Sequence, residues 1–125
     1  MPVSIEDKIK AVETYINSFS KQDVEAIVGL YADDATIEDP VGTPLKEGIE
    51  AIREFYTGAV GNGAKLELEG TPRCAGDSVA FPFRAIVDLG GNKAHIEIID
   101  TFRFNDDGKV AEMRAFWGPE NMKPV

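Results

Sequence analysis

Ala94-His95-Ile96-Glu97-Ile98-Ile99-Asp100-Thr101-Phe102-Arg103-Phe104 is the stretch on which the architecture turns. It alternates with period two, as a half-buried strand does. The even positions are Ala94, Ile96, Ile98, Asp100, Phe102 and Phe104, apolar but for the acid. The odd positions carry His95, Glu97, Thr101 and Arg103, with Ile99 as the one apolar member. If the even face meets the core, Asp100 points inward among aliphatic and aromatic side chains. An ionised carboxylate is costly in such a place, so it is expected to be paired or to keep its proton at neutral pH. A protonated acid donates a hydrogen bond, which equips it to stabilise a developing oxyanion. The plainer alternative is a core-edge Asp bonded to a backbone amide, and the spacing alone leaves both open.

Working outward, further strands are predicted over Lys65–Cys74, Ser78–Leu89 and Lys109–Trp117. They are joined by the turn-forming sequences Gly76-Asp77, Gly90-Gly91-Asn92 and Asn105-Asp106-Asp107-Gly108. Val79, Phe81, Phe83, Ala85, Val87 and Leu89 share one strand face, and Ala111, Met113, Ala115 and Trp117 share another. Both rows are uncharged and can line a cavity for a flat hydrocarbon, or simply be core. Pro82 lies on the opposite face and marks an edge or a bulge.

The first part of the chain reads as helical. Ser4 with Asp7 resembles a capping box, and Ile5, Ile9, Val12, Ile16 and Phe19 form one apolar stripe flanked by Tyr15. A second helix is expected from about Asp23, with Val24, Ile27, Val28 and Tyr31 at helical spacing. A third is expected from about Ile49 to Ala59, with Ile49, Ile52, Phe55 and Tyr56 on its apolar side, ended by Gly58, Gly61 and Gly63. Between the last two, Ala35-Thr36-Ile37-Glu38-Asp39 reads as a short strand stopped by Pro40, which has no N–H for the ladder. Asp39 shares a face with Ala35 and Ile37, so the pleat sends Glu38 outward and Asp39 inward. Three helices followed by an antiparallel sheet make an α+β layer, the helices covering one sheet face. Two inward acids call for a joint explanation, and a catalytic pocket supplies one.

Composition narrows the functions. The 125 residues suit one domain, spanning 1–125, with 28% charged and 43% apolar residues, as in an ordinary soluble globular protein. The formal charge of −9, from 13 basic and 22 acidic residues, argues against nucleic acid and anionic membranes as partners. Cys74 is the single cysteine, so no intrachain disulfide forms, and His95, the single histidine, falls on the polar face of its strand. That leaves no Cys-His couple, no Ser-His-Asp triad and no metal cluster. Glu6, Asp7 and Lys8 stand where a signal peptide would be apolar, so a cytoplasmic location is expected.

Tyr31-Ala32-Asp33-Asp34-Ala35-Thr36-Ile37-Glu38-Asp39-Pro40-Val41-Gly42 resembles a segment of the bacterial ketosteroid isomerases. Ile52-Arg53-Glu54-Phe55-Tyr56, Asp100-Thr101-Phe102-Arg103-Phe104-Asn105 and Met113-Arg114-Ala115-Phe116-Trp117-Gly118 resemble that family in the same order. The resemblance runs over nearly the whole chain. It implies the curved sheet of a conical half-barrel, as in nuclear transport factor 2-like proteins. Carried over residue by residue, it makes Asp39 the general base, Tyr15 the oxyanion-hole tyrosine and Asp100 the protonated oxyanion-hole acid. Tyr31 and Tyr56 become members of a hydrogen-bonded chain that polarises Tyr15. Phe55, Phe81, Phe83, Met113, Ala115 and Trp117 fall at or beside pocket-lining positions, and Ala85 is a further wall position. The implied activity is conversion of 3-oxo-Δ5 to 3-oxo-Δ4 steroids with no cofactor. A homodimer is also implied, with Ile99 and Phe116 as candidate contacts. Other enzymes of the scaffold (a polyketide cyclase, a dehydratase, an epoxide hydrolase) and a non-enzymatic binder of hydrophobic ligands are the rival readings.

Overall fold

The computed structural model describes residues 3–124. Helix α1 (Ile5–Ser20) is capped by Ser4, whose hydroxyl accepts from the Asp7 N–H at 3.0 Å, one half of the expected capping box. Its stripe of Val12, Tyr15, Ile16 and Phe19 is buried. Helix α2 (Val24–Val28) is capped by Asp23, accepting from the Ala26 N–H at 3.1 Å. It stops sooner than the spacing predicts: Gly29 follows it, and Tyr31 opens strand β1 (Tyr31–Glu38). Two-residue strand β2 (Lys46–Glu47) leads into helix α3 (Ile49–Gly61), which runs through Gly58 and is followed by Gly63 at φ 76°.

The strand predicted over Lys65–Cys74 is two strands, β3 (Lys65–Leu68) and β4 (Arg73–Ala75), separated at Gly70-Thr71-Pro72. Both pair antiparallel with β5 (Ser78–Leu89). Strand β6 (Asn92–Phe104) pairs with the whole of β5, from Ser78↔Arg103 to Leu89↔Asn92. Gly90 and Gly91 close that hairpin with φ of 65° and 93°, the positive values a two-residue turn of the favoured hand requires. Strands β7 (Val110–Phe116) and β8 (Met122–Pro124) both pair antiparallel with β6, and a 3₁₀ turn at Pro119–Asn121 joins them.

The sheet order is β2-β1-β7-β6-β5-β3, with β4 against β5 and β8 against β6. One joint departs from the antiparallel expectation. Strand β1 pairs parallel with β7, Ile37 beside Met113 and Glu38 beside Arg114, and the Arg114–Glu38 ion pair at 3.1 Å spans it. The sheet is therefore mixed, but the α+β curved-sheet architecture with three helices against one face stands.

The alternation in β6 holds where it matters: Ala94, Asp100, Phe102 and Phe104 are buried and Ile99 is exposed. In β5, Val79, Phe81, Phe83 and Ala85 are buried together; the side chain of Leu89 lies outside the described residues. The row in β7 is corrected by a bulge. Phe104 pairs with Val110 but Arg103 with Glu112, so Val110 takes the buried place expected for Ala111. No helix among the described residues is long and apolar enough to cross a membrane.

Candidate active site

A cavity of about 320 Å³ opens between the helices and the curved sheet. Its lining is mostly apolar, with Phe19, Phe55, Phe83, Ala85 and Ile98 among the walls. The polar lining groups are Tyr15, Tyr56, Asp39, Asp100, Trp117 and Asn62. The three residues singled out for catalysis thus converge from three elements: Tyr15 from α1, Asp39 from the end of β1, Asp100 from the middle of β6.

Asp100 sits on the rung Phe81–Asp100–Ala115, 1% exposed, and neither carboxyl oxygen has a hydrogen-bond partner among the described residues. The backbone-bonded alternative left open by the sequence is therefore not what the structure contains. Burial pushes its pKa well above the usual carboxylate value, and the negative charge of Asp39 pushes the same way. The Tyr15 phenol favours the anion, but it is outside hydrogen-bonding geometry and does not reverse the sign. Burial and the Asp39 charge both favour the protonated carboxyl, the form able to donate a hydrogen bond.

Asp39 lies one residue beyond β1, partly buried, where Pro40 ends the ladder. The Trp117 indole Nε1–H donates to its Oδ1 at 2.9 Å. Burial raises its pKa, while that hydrogen bond and the charge of Lys46 pull it back. Lys46 is itself held over the Phe55 ring, 5.1 Å from the centroid. Its neighbour Glu38 faces out, accepting from Arg114 and from the Gly42 N–H, so the pleat divides the pair as expected.

The three tyrosines form a chain. Tyr31 and Tyr56 are joined through their hydroxyls at 2.5 Å, and the Tyr56 O–H donates to the Tyr15 oxygen at 3.3 Å. A phenol has one proton, so if Tyr56 gives its own to Tyr15, Tyr31 is the donor to Tyr56. The proton of Tyr15 is then left for a guest in the cavity. Burial holds the Tyr15 pKa well above 10.0, which keeps it a donor. Phe19, Phe81, Phe83 and Phe102 surround its ring edge-on at centroid distances of 5.3 to 6.5 Å, fixing its direction.

Some expected wall positions lie elsewhere. Phe55, Phe83 and Trp117 are on the lining, as is Ala85. Phe81, Met113 and Ala115 are not: they are fully buried in the core beneath it, Phe81 and Ala115 flanking Asp100 in the sheet. Parity along a strand gives the face but not the depth at which the cavity ends. His95 pairs with Ile86 and Lys123, away from the lining. The wall residues Phe19, Ala59, Ala64 and Leu66 had no signal beyond their apolar spacing, and the Trp117–Asp39 bond had none at all.

A curved sheet closed over a helix-lined apolar cavity, with acids on its inner face, defines the class. The chain belongs to the SnoaL-like domain family, whose family model matches residues 12–113. It is 42% identical over 112 residues to the Steroid Delta-isomerase of Nocardioides simplex, an alignment covering 90% of each chain. It is 28% identical over 124 residues to Epoxide hydrolase LasB of Streptomyces lasalocidi, covering 94% of this chain and 43% of that protein. The solved structure of SalBIII, described as an epoxide hydrolase/cyclase-like enzyme with a role in pyran ring formation in the polyether salinomycin, superposes with a TM-score of 0.89. That match has 30% identity and covers 96% of this chain and 97% of that one. These relatives are enzymes of one fold, and the resemblance drawn from the sequence agrees with the family they define.

Proposed function

We propose that this chain is a steroid Δ-isomerase, converting 3-oxo-Δ5 steroids to their conjugated 3-oxo-Δ4 isomers. The observation that carries the reading is the buried Asp100, without a hydrogen-bond partner among the described residues, sharing one cavity with Tyr15 and the indole-bonded Asp39. The 42% identity to a steroid Δ-isomerase supports it. The ketone oxygen of the substrate lies against the Tyr15 and Asp100 protons. Asp39 removes the proton on the carbon between the ketone and the double bond, and the electrons of that C–H bond flow into a dienolate. As charge grows on the oxygen, two donors already in place meet it, in a mostly apolar cavity. Asp39, now neutral, returns the proton to the far end of the dienolate, and the double bond ends in conjugation.

The two acids have opposite tasks. Asp39 acts as a base and needs its charge, which Trp117 and Lys46 favour; Asp100 acts as a donor and needs its proton, which burial and Asp39 favour. The test is the rise of enone ultraviolet absorbance from 5-androstene-3,17-dione, against an Asp39→Asn control. Turnover well above that control supports the reading; no turnover sinks it.

The relatives acting on epoxides favour one second reading, in which Asp100 protonates an epoxide oxygen while Asp39 takes the proton of an attacking hydroxyl or water. Hydrolysis or cyclisation of an epoxide, with no steroid turnover, selects it. Under either reading we place a second copy of the chain on the outer sheet face. There Ile99 and Phe116, cross-strand neighbours that are 48% and 42% exposed, lie with Pro82 in a shallow depression edged by Glu69, Glu97 and Asn121. Sedimentation at micromolar concentration is expected to give a dimer, and Ile99→Lys is expected to give a species near 13.6 kDa. A monomeric wild type excludes the assembly.

A further inference from the structure

The polar groups of the cavity are unevenly placed. Asn62 is the polar lining residue that belongs neither to the tyrosine chain nor to the acids and their indole. The ladder locates it. Asp100 pairs with Phe81, whereas Leu66 of β3 pairs with Ala85, and Ala85 with Ile96. Ile96 is four residues from Asp100, about 13 Å along a strand. Asn62 ends α3 and enters β3 through Gly63-Ala64, and Ala64, Leu66 and Ala59 line the cavity with it. It therefore stands at the end remote from Asp100, with an apolar corridor between.

Helix termination does not call for this side chain. The backbone N–H of Asn62 bonds to the Gly58 carbonyl at 3.2 Å, its φ of −79° is open to any residue, and the left-handed turn falls to Gly63. The amide is left at the cavity rim without a role in the fold.

The geometry points to Asn62 as a distal recognition group, its side-chain amide hydrogen-bonding an oxygen at the far end of a long, flat substrate whose ketone is held by Tyr15 and Asp100. The inference rests on the steroid reading, and in it that oxygen is the ketone or hydroxyl on carbon 17. The substrate class is then the 17-oxygenated steroids, in preference to those bearing only hydrocarbon there. An amide donates and accepts, so it serves ketone and hydroxyl alike. Asn62 is exposed, so one net hydrogen bond is expected to contribute about three- to tenfold in affinity.

Two measurements on wild type, Asn62→Ala and Asn62→Leu decide it. In the first, kcat and KM are compared for 5-androstene-3,17-dione and its 17-deoxy analogue. The wild type is expected to favour the 17-oxygenated substrate about three- to tenfold through KM, and both variants to lose that preference. In the second, estradiol and 17-deoxyestradiol are titrated by quenching of Trp117 fluorescence, which needs no turnover. If no steroid is isomerised, the isomerase reading falls by itself, and the binding arm still judges Asn62. Equal affinity of the wild type for the two phenols overturns the inference, as does a preference that survives in Asn62→Ala.

Discussion

The end of β1 and the middle of β6 each bring an aspartate into one cavity, and they treat it in opposite ways. Asp39 is placed just past a ladder that Pro40 ends, partly exposed, with an indole donor on one oxygen and a lysine charge nearby. Asp100 is held inside an unbroken antiparallel ladder, paired on both sides, with no donor to either oxygen among the described residues. A strand end leaves a carboxylate room for polar neighbours. A strand centre surrounded by Phe81, Phe102 and Ala115 does not. The same side chain is thereby set up as a base in one place and as an acid in the other, and the difference lies in backbone position more than in sequence neighbours.

The sharpest way to break this comparison is one substitution made twice. Asp39→Asn keeps shape and hydrogen bonding but removes basicity, so steroid turnover is expected to fall roughly 10²–10⁴-fold with binding of a steroid phenol retained. Steady-state kinetics beside a fluorescence titration read both quantities. An Asp39→Asn enzyme within about threefold of wild type contradicts the role given to Asp39.

Asp100→Asn keeps a neutral N–H donor and is expected to lose turnover only modestly. Asp100→Leu keeps bulk without a donor and is expected to lose about 10²–10³-fold, the usual consequence of removing one oxyanion-hole donor. The ordering wild type, Asn, Leu is the outcome to check. Equal activity of Leu and Asn means that Asp100 does not donate, and the contrast with Asp39 disappears.

Trp117→Phe sharpens the other half. Losing the indole N–H removes a bond to the ionised form of Asp39, so the Asp39 pKa moves further up. The acid limb of the kcat/KM profile is expected to shift to higher pH, with losses of up to about tenfold on that limb and smaller ones at neutral pH. A uniform loss at every pH would mean that Trp117 acts as a wall alone.

How much of this arrangement could be read beforehand differs along the chain. The strand period was enough to turn Asp100 inward and Glu38 and Asp39 apart, because each side chain in a strand has only two directions. The α1 stripe put Tyr15 on the core side, half-buried by its spacing where the fold buries it fully, and its place in the site came from resemblance. The limits came where local pattern and long-range pairing diverge. Tyr31 sits at helical spacing from Ile27 and Val28, yet it pairs in parallel beside Val110, a partner remote in sequence. The bulge that exchanges Val110 for Ala111 needs the register of β6 to be known. Phe81, Met113 and Ala115 had the right face but lie deeper than the cavity reaches, which depends on how far the helices stand off the sheet. The tyrosine chain came from resemblance, since three phenols on α1, β1 and α3 meet only in the fold.

The smallest expected effect is on stability. The folded-state pKa of Asp100 is raised above its ordinary 3.8, so the folded chain binds that proton more tightly than the unfolded chain does. The stability linked to this group is fully present below about pH 3.8 and is lost as the pH rises through the folded pKa. An asparagine there does not titrate. Its amide is as short of partners as the neutral acid, so those penalties largely cancel in the comparison. Asp100→Asn is therefore expected to match or exceed the wild-type urea midpoint at pH 7, with the gap closing as the pH falls toward 4. Asp39→Asn is expected to show the same sign with a smaller gap, because Trp117 and Lys46 offset the burial of that carboxylate. Urea titrations of the three proteins at pH 4.5, 6 and 7 measure the series. A clearly less stable Asp100→Asn at pH 7, or a gap that ignores pH, would mean that Asp100 is ionised in the folded chain. The division of labour between the two aspartates would then have no electrostatic basis.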